Sequence, residues 1–311
     1  MRLPTRRGVL QAGVWSAAGM SLGIPVFRSA RAQAAGGVRV LRLTDDLHVL
    51  TVGGINVVAL TGVDGAVLVD GAPAEHSDAL LEAVAKLPAS GPVHTLFNTH
   101  WHREQTGSNE RLGKAKATII AQENTRLWLS TDITWPWDAS HTFEPLPEVA
   151  RPNKTTFDKD RISAGAKTIE YGYLRHAAHT DGDLYVFFPN ANVLAVGDAV
   201  TSAGWQTIDW WTGGWIGGVV GGLELLLSLT DAQTRVVPAR GPVMSKADLE
   251  AQFQMYSTVY ERLSRLLNSG RGPREAVESK ATVEFDEKMG NSDEFVTRAF
   301  ESMWAYLSPD A

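Results

Sequence analysis

The chain has 311 residues, with hydrophobic residues at 44%, charged residues at 21% and a formal charge of −6. These are values of a globular chain long enough to bury a large core, and too apolar for disorder. It contains no cysteine, which excludes disulfides, thiolate nucleophiles and zinc–cysteine centres, and its acidic balance argues against a nucleic-acid surface, which needs a basic face.

Residues 1–32 stand apart. Arg2, Arg6 and Arg7 precede an apolar stretch from Val9 to Val26 that ends in Ala30-Arg31-Ala32, a small-x-small cleavage pattern. This reads as an export signal peptide and implies a periplasmic or secreted protein. Gly13, Ser16, Gly19, Ser21, Gly23 and Pro25 make the stretch shorter and less apolar than the roughly 20-residue span of a stable membrane anchor. Thr5-Arg6-Arg7-Gly8-Val9-Leu10 resembles a twin-arginine signal, which implies export of an already folded protein. Removing residues 1–32 takes away five arginines and no acids, so the formal charge moves from −6 to −11.

The remainder, 33–311, reads as one domain, because glycine and proline are scattered as turns and no linker divides it. From Val38 to Val69 short β-branched runs are broken by Gly53-Gly54 and Asp64-Gly65, which predicts antiparallel strands. Ser77 opens a helix with Leu80, Leu81, Val84 and Leu87 on one face and Pro88 as its stop, and Val93 to Phe97 reads as a buried strand. Residues 131–160, with Trp135, Pro136, Trp137, Pro145, Pro147 and Pro152 and no clear period, read as a long surface loop.

Strands return at Thr168 to Tyr173, Leu184 to Phe188 and Val193 to Val196. The glycine-rich run from Thr212 to Gly222 lacks the Gly-Lys-Ser/Thr of a phosphate loop, so tight turning and close helix packing are expected of it and nucleotide binding is not. An amphipathic helix is predicted from about Ala247 to Asn268, with Phe253, Tyr256, Tyr260, Leu263 and Leu267 on one side and Gly270 as its stop. A helical extension from about residue 270 includes a helix over Asp293 to Leu307, burying Val296, Phe300, Met303 and Leu307.

The chemistry concentrates in Asn98-Thr99-His100-Trp101-His102-Arg103-Glu104-Gln105-Thr106-Gly107, which leaves the end of the Val93 strand. Two imidazoles two positions apart can reach one metal, and a catalytic zinc takes three protein ligands and leaves one position for water. Further on stand His179-Thr180-Asp181-Gly182-Asp183, then Gly197-Asp198 at a strand end, then Val237-Pro238-Ala239-Arg240-Gly241-Pro242. In that order, over about residues 40–265, these motifs resemble the metallo-β-lactamase superfamily. The resemblance implies an α/β fold, an αββα sandwich of two mixed β-sheets flanked by helices.

The resemblance also implies that His100, His102 and His179 bind the first metal and that Asp198 is the carboxylate bridging two metals. The family's first motif is usually His-x-His-x-Asp-His and its last Gly-His-Gly, and this chain departs from both. Glu104 stands for the aspartate, Gln105 for a histidine and Arg240 for the final histidine. Arginine stays protonated and offers only donors, so Arg240 cannot be a ligand. The expectation is that it pairs with Asp198 or Glu104 in bidentate geometry and partly replaces the missing cation.

One zinc per chain is then the expected cofactor, and three histidines suffice for it to bring the pKa of bound water to about 7. Asp198 or Glu104 would orient that water or move its proton, Arg240 would stabilise a substrate oxygen, and Glu104 is long enough to reach the metal itself. His48, His76, His94 and His141 read as surface or packed residues; His176, three residues before His179, is a candidate support for that ligand. Trp135, Trp137, Trp205, Trp210, Trp211 and Trp215 form either a substrate wall or core packing. Three functions stay open: metal-bound hydroxide hydrolysing a small ester, lactone, amide or β-lactam; dehalogenation of an aromatic, as in the chlorothalonil-dehalogenase-like branch; or a binding protein with a decayed second site. The partner is a small molecule, and a homo-oligomer is neither required nor excluded.

Overall fold

The computed structural model describes residues 33–35 and 37–307; the signal peptide expected over residues 1–32 lies outside them. The first half builds an eight-stranded sheet. β1 (Gln33–Ala35), β2 (Val38–Arg42), β3 (Leu47–Val52), β4 (Ile55–Gly62) and β5 (Gly65–Val69) run as an antiparallel meander. α1 (Ser77–Ala85) then crosses to β6 (Val93–Phe97), which pairs parallel with β5. After the short helices α2 (Arg103–Thr106) and α3 (Asn109–Lys114) come β7 (Thr118–Gln122), α4 (Glu123–Trp128), a hairpin of β8 (Ile133–Trp135) and β9 (Asp138–Phe143), and β10 (Lys154–Thr156), which closes the sheet beside β7.

A five-stranded sheet follows in the order of β11 (Lys159–Ala164), β12 (Lys167–Tyr173), β13 (Leu184–Phe188), β14 (Val193–Gly197) and β15 (Arg235–Pro238). α5 (Ile216–Ser228) links its last two strands, which are parallel. The chain finishes with α6 (Lys246–Asn268), α7 (Pro273–Glu278), α8 (Asp286–Met289) and α9 (Asp293–Leu307).

Period-two alternation sorts the apolar residues into layers. In β4, Val57 and Ala59 face α1 with Leu80 and Val84, while Val58 and Leu60 face the second sheet. In β14, Val193 and Ala195 meet the first sheet, while Leu194 and Val196 meet α5, α6 and α9 through Leu223, Tyr256 and Phe300. The result is the expected αββα sandwich. No helix among the described residues is long and apolar enough to cross a membrane.

Residues 131–160 are not one loop. They hold the β8–β9 hairpin, β10 and the first residues of β11. The hairpin escaped the sequence reading because β9 is exposed along nearly its whole length, so no alternation marks it; it is anchored through Phe143, which packs with Trp101, Leu129 and Ile133. In α9 the buried face is Phe295, Val296, Ala299, Phe300 and Met303, whereas Leu307 is 53% exposed, since the helix outruns the layer it packs on. In α6, Leu249, Met255, Tyr256, Val259 and Leu263 are fully buried and Phe253, Tyr260 and Leu267 sit at the margin of the same cluster.

The glycine-rich run does serve close packing. A Cβ on Gly214 would strike the carbonyl oxygen of His179, and one on Gly218 would strike those of His176 and Ala177. Only glycine lets the start of α5 lie directly against the His179 loop.

Candidate metal centre

The end of β6 is held by backbone bonds from three directions. Asp70 N donates to Phe97 O at 2.8 Å, Asn98 N to Ile120 O at 2.9 Å, and Leu184 N to Thr99 O at 2.7 Å, so both sheets grip the segment that carries His100. Asn98 and Asn109, both fully buried, exchange amide hydrogen bonds of 3.0 and 2.8 Å behind it. The second loop is wrapped around Asp183, whose carboxylate accepts from His179 N (2.6 Å), Thr180 N (3.1 Å) and Thr180 Oγ1 (2.7 Å). Burial pushes Asp183 up to about 6, with the His179 charge and the Thr180 bonds pulling against it.

These loops bring His100, His102 and His179 together, all buried, with one ring nitrogen of each within 4.8 Å of the others. The rings stand edge to face, their centroids 4.6–4.8 Å apart. The outer nitrogen of each ring has an oxygen partner. His179 Nδ1 meets Thr207 O at 2.6 Å, His102 Nε2 meets Asp209 Oδ2 at 2.9 Å, and His100 Nδ1 meets Thr99 Oγ1 at 3.1 Å. Thr99 Oγ1 in turn lies 2.9 Å from the buried Asp70 carboxyl.

With the ring protons directed outward, the inner atoms His100 Nε2, His102 Nδ1 and His179 Nε2 present bare lone pairs to one another. His102 Nδ1 and His179 Nε2 are 3.1 Å apart, and His100 Nε2 is buried with no hydrogen-bond partner among the described residues. Such a set of converging lone pairs fits a metal cation. Burial first, then the charges of His179, His102 and Arg240, hold His100 well below its ordinary range, which keeps the imidazole in its ligating neutral form.

Asp209 is the residue that the sequence reading missed. It is fully buried, and its Oδ2 accepts from His102 Nε2, from Thr212 Oγ1 at 2.7 Å and from Trp135 Nε1 at 3.3 Å. Burial would raise its pKa, but the hydrogen bond and charge of His102, with Thr212 and His179, outweigh burial and leave it lowered. Asp70 fares otherwise: burial pushes it up to about 8, opposed by the Thr99 bonds and reinforced by Asp198. The available signal for Asp209 was a lone acid in the apolar run Ile208-Asp209-Trp210-Trp211.

Across the site, Asp198 follows β14. Its Oδ2 lies 3.6 Å from His100 Nε2 and accepts from Gln105 Nε2 at 3.0 Å. Arg240 reaches both acids, with Nε 3.7 Å from Asp198 Oδ1 and Nη2 3.4 Å from Glu104 Oε1. The bidentate fork expected of Arg240 does not form, because the guanidinium lies between two carboxylates and gives one nitrogen to each. His176 is exposed and its ring lies over Gly221 of α5, which leaves Asp183 as the support of the His179 loop. His48 is packed in the core.

The six tryptophans divide. Trp135 stands edge-on to His102, stacks on Trp137 at 5.6 Å, and Trp137 meets Trp210 at 5.5 Å, an aromatic run leading away from the histidines with Trp211 at its exposed end. Trp205 stacks on Phe295 and Trp215 on Tyr306, away from the site.

A family model described as the Metallo-beta-lactamase superfamily matches residues 50–219, more than half of the chain. Among solved structures, the chain is similar to a metallo-beta-lactamase from Pontibacter korlensis at a TM-score of 0.58 and 17% identity, covering 71% of this chain and 99% of that one. It is similar to the DIM-1 metallo-beta-lactamase at 0.55 and 20%, covering 71% and 97%. It is also similar to Pisa1, a stereoselective inverting sec-alkylsulfatase from a Pseudomonas species, at 0.64 and 17%, covering 84% of this chain and 49% of that one. At these identities the likeness is one of fold. No curated protein matches the sequence.

Proposed function

The chain belongs to the metallo-beta-lactamase superfamily, and on that premise we propose that it is a zinc-dependent hydrolase of a small ester, lactone, amide or β-lactam. The observation that carries this reading is the convergence of three buried imidazoles, one ring nitrogen of each within 4.8 Å of the others and the Asp198 carboxylate 3.6 Å from His100 Nε2. His100 Nε2, His102 Nδ1 and His179 Nε2 would hold the ion, and an all-imidazole set of three suits zinc with a position left open. When bound, the ion supplies an acidified water and polarises a substrate oxygen.

The chain's own groups do the rest. Asp198 Oδ2, 3.6 Å from His100 Nε2, is placed to add a fourth protein contact to the ion or to orient water and take its proton. Glu104, at the rim and 45% exposed, is placed to pass that proton to solvent. Arg240 offers its remaining N–H groups to the oxygen on which negative charge develops. Asp209, Thr207 and Thr99 fix the ring orientations, and the buried Trp101, donating to Thr212 Oγ1 at 3.0 Å, closes the floor of the site to water.

Dialysis of the purified protein against a chelator should abolish hydrolysis of a panel of aryl and alkyl esters, lactones and β-lactams, and added zinc should restore it. Hydrolysis that persists in the metal-free protein, or a protein that takes up no metal, overturns the proposal. The Trp135–Trp137–Trp210 run favours a second reading, hydrolytic removal of halide from an aromatic ring stacked against it; halide release measured on the same preparation decides between them. A binding protein with a decayed second site would keep the metal and show no turnover on the whole panel.

A further inference from the structure

Two carboxylates, Asp198 and Glu104, face the same space beside the histidines, and such a pair ordinarily draws a cation. Here the cation is covalent. Arg240 stands between them at 3.7 and 3.4 Å. Its backbone is clamped in place: Ser202 Oγ donates to Arg240 O at 2.9 Å, Asn56 Nδ2 donates to Pro238 O at 3.0 Å and to Gly241 O at 2.8 Å, Asn56 N to Ala239 O at 2.7 Å, and Ala239 N to Gly197 O at 2.8 Å. Gly241, at φ +83°, makes the turn, and a Cβ there would strike Ser202. The segment is thus tied to β4, to the end of β14 and to the loop after it. Gln105, fully buried, completes the arrangement by donating Nε2–H to Asp198 Oδ2 at 3.0 Å.

Resting on the metal-hydrolase reading above, we infer that this enzyme is built to hold a single metal ion, with Arg240 and Gln105 as permanent occupants of the space beside it. Both oxygens of Asp198 face protein nitrogen donors, one amide and one guanidinium. A guanidinium cannot shed its proton to coordinate a metal, and a second ion in contact with Asp198 and Glu104 would have to displace it against like-charge repulsion. Arg240 acts on substrate as a fixed charge that needs no metal to be loaded.

The test is metal stoichiometry by native mass spectrometry and elemental analysis, after equilibration with excess zinc and gel filtration. The wild-type protein should retain one ion per chain, with any further zinc lost on gel filtration, since Arg240 offers a second ion no lone pair. Two firmly held ions overturn the inference and leave the hydrolase reading standing; no ion at all overturns both. The variant combining Arg240→His and Gln105→His replaces the two non-ligating donors with imidazoles and should retain two ions. A folded double variant, checked by circular dichroism, that still holds one ion contradicts the account of why the second is excluded. If it does not fold, the wild-type count decides the matter alone.

Discussion

At His100, His102 and His179 every outer ring nitrogen meets an oxygen within 3.1 Å and every ring is buried; across the same space Arg240 and Glu104 are each 45% exposed and meet at 3.4 Å. The first half is organised for fixed geometry. Asp209 is buried and accepts from several donors, so the His102 ring cannot turn without leaving a buried polar group unpaired, and Asp183, likewise buried, holds the backbone of the His179 loop. The second half is organised for charge, and a guanidinium near solvent supplies that without tight contacts. The contrast teaches where side-chain rigidity is spent: the imidazoles are fixed at the ring, because directing lone pairs is angular work, whereas Arg240 is fixed at its backbone and its guanidinium keeps long, half-exposed contacts.

The contrast can be broken from the metal side first. His100→Ala, His102→Ala and His179→Ala should each remove the metal and lower kcat/KM by about 10²–10³-fold or more, while circular dichroism still reports a folded protein, because the layers pack without these side chains. Full turnover in any of the three would show that the triad is not the site.

A smaller effect is expected where α5 touches the His179 loop. Gly214→Ala forces a Cβ onto the His179 carbonyl and should cost about 1–3 kcal/mol in chemical denaturation, the usual range for overpacking, together with weakened metal binding. Unchanged metal affinity would mean that the loop yields freely and is not rigid. Asp209→Ala should weaken zinc about 10–100-fold in a competition titration with a chelator; Asp209→Asn, which keeps an oxygen for His102 Nε2, should lose less. Equal losses in the two variants would make Asp209 a packing residue only.

The smallest effect should come from Arg240→Ala on stability, about 0–1 kcal/mol, since its ion pairs are long and half exposed. Its effect on turnover should be larger than that. A destabilisation of several kcal/mol would show that Arg240 holds the fold together and would remove the contrast between the halves.

Much of this molecule was legible in its sequence. The β-branched runs around Val57 and Val193 are legible as strands, although strands buried on both faces do not say which side meets which layer, and the histidine motifs point to the triad through their resemblance to the metallo-β-lactamase pattern. What stayed hidden depends on partners distant in sequence. Asp209 is 107 residues from His102, and no local period connects them. The β8–β9 hairpin hides for the opposite reason: its strands are short and β9 is exposed, so burial leaves no imprint on residue type. Gln105 read as a lost ligand, and only the fold shows it donating to Asp198.

The central claim is that three specified nitrogens hold one ion. Anomalous diffraction at the zinc absorption edge, from crystals of the protein as purified, tests it most directly. The account predicts one peak per chain at roughly 2.0–2.1 Å from His100 Nε2, His102 Nδ1 and His179 Nε2, the zinc–imidazole distance, with Arg240 still between Asp198 and Glu104. A peak ligated by other residues, a second peak between Asp198 and Glu104 with Arg240 turned away, or no peak from protein that is active in the same preparation would contradict it.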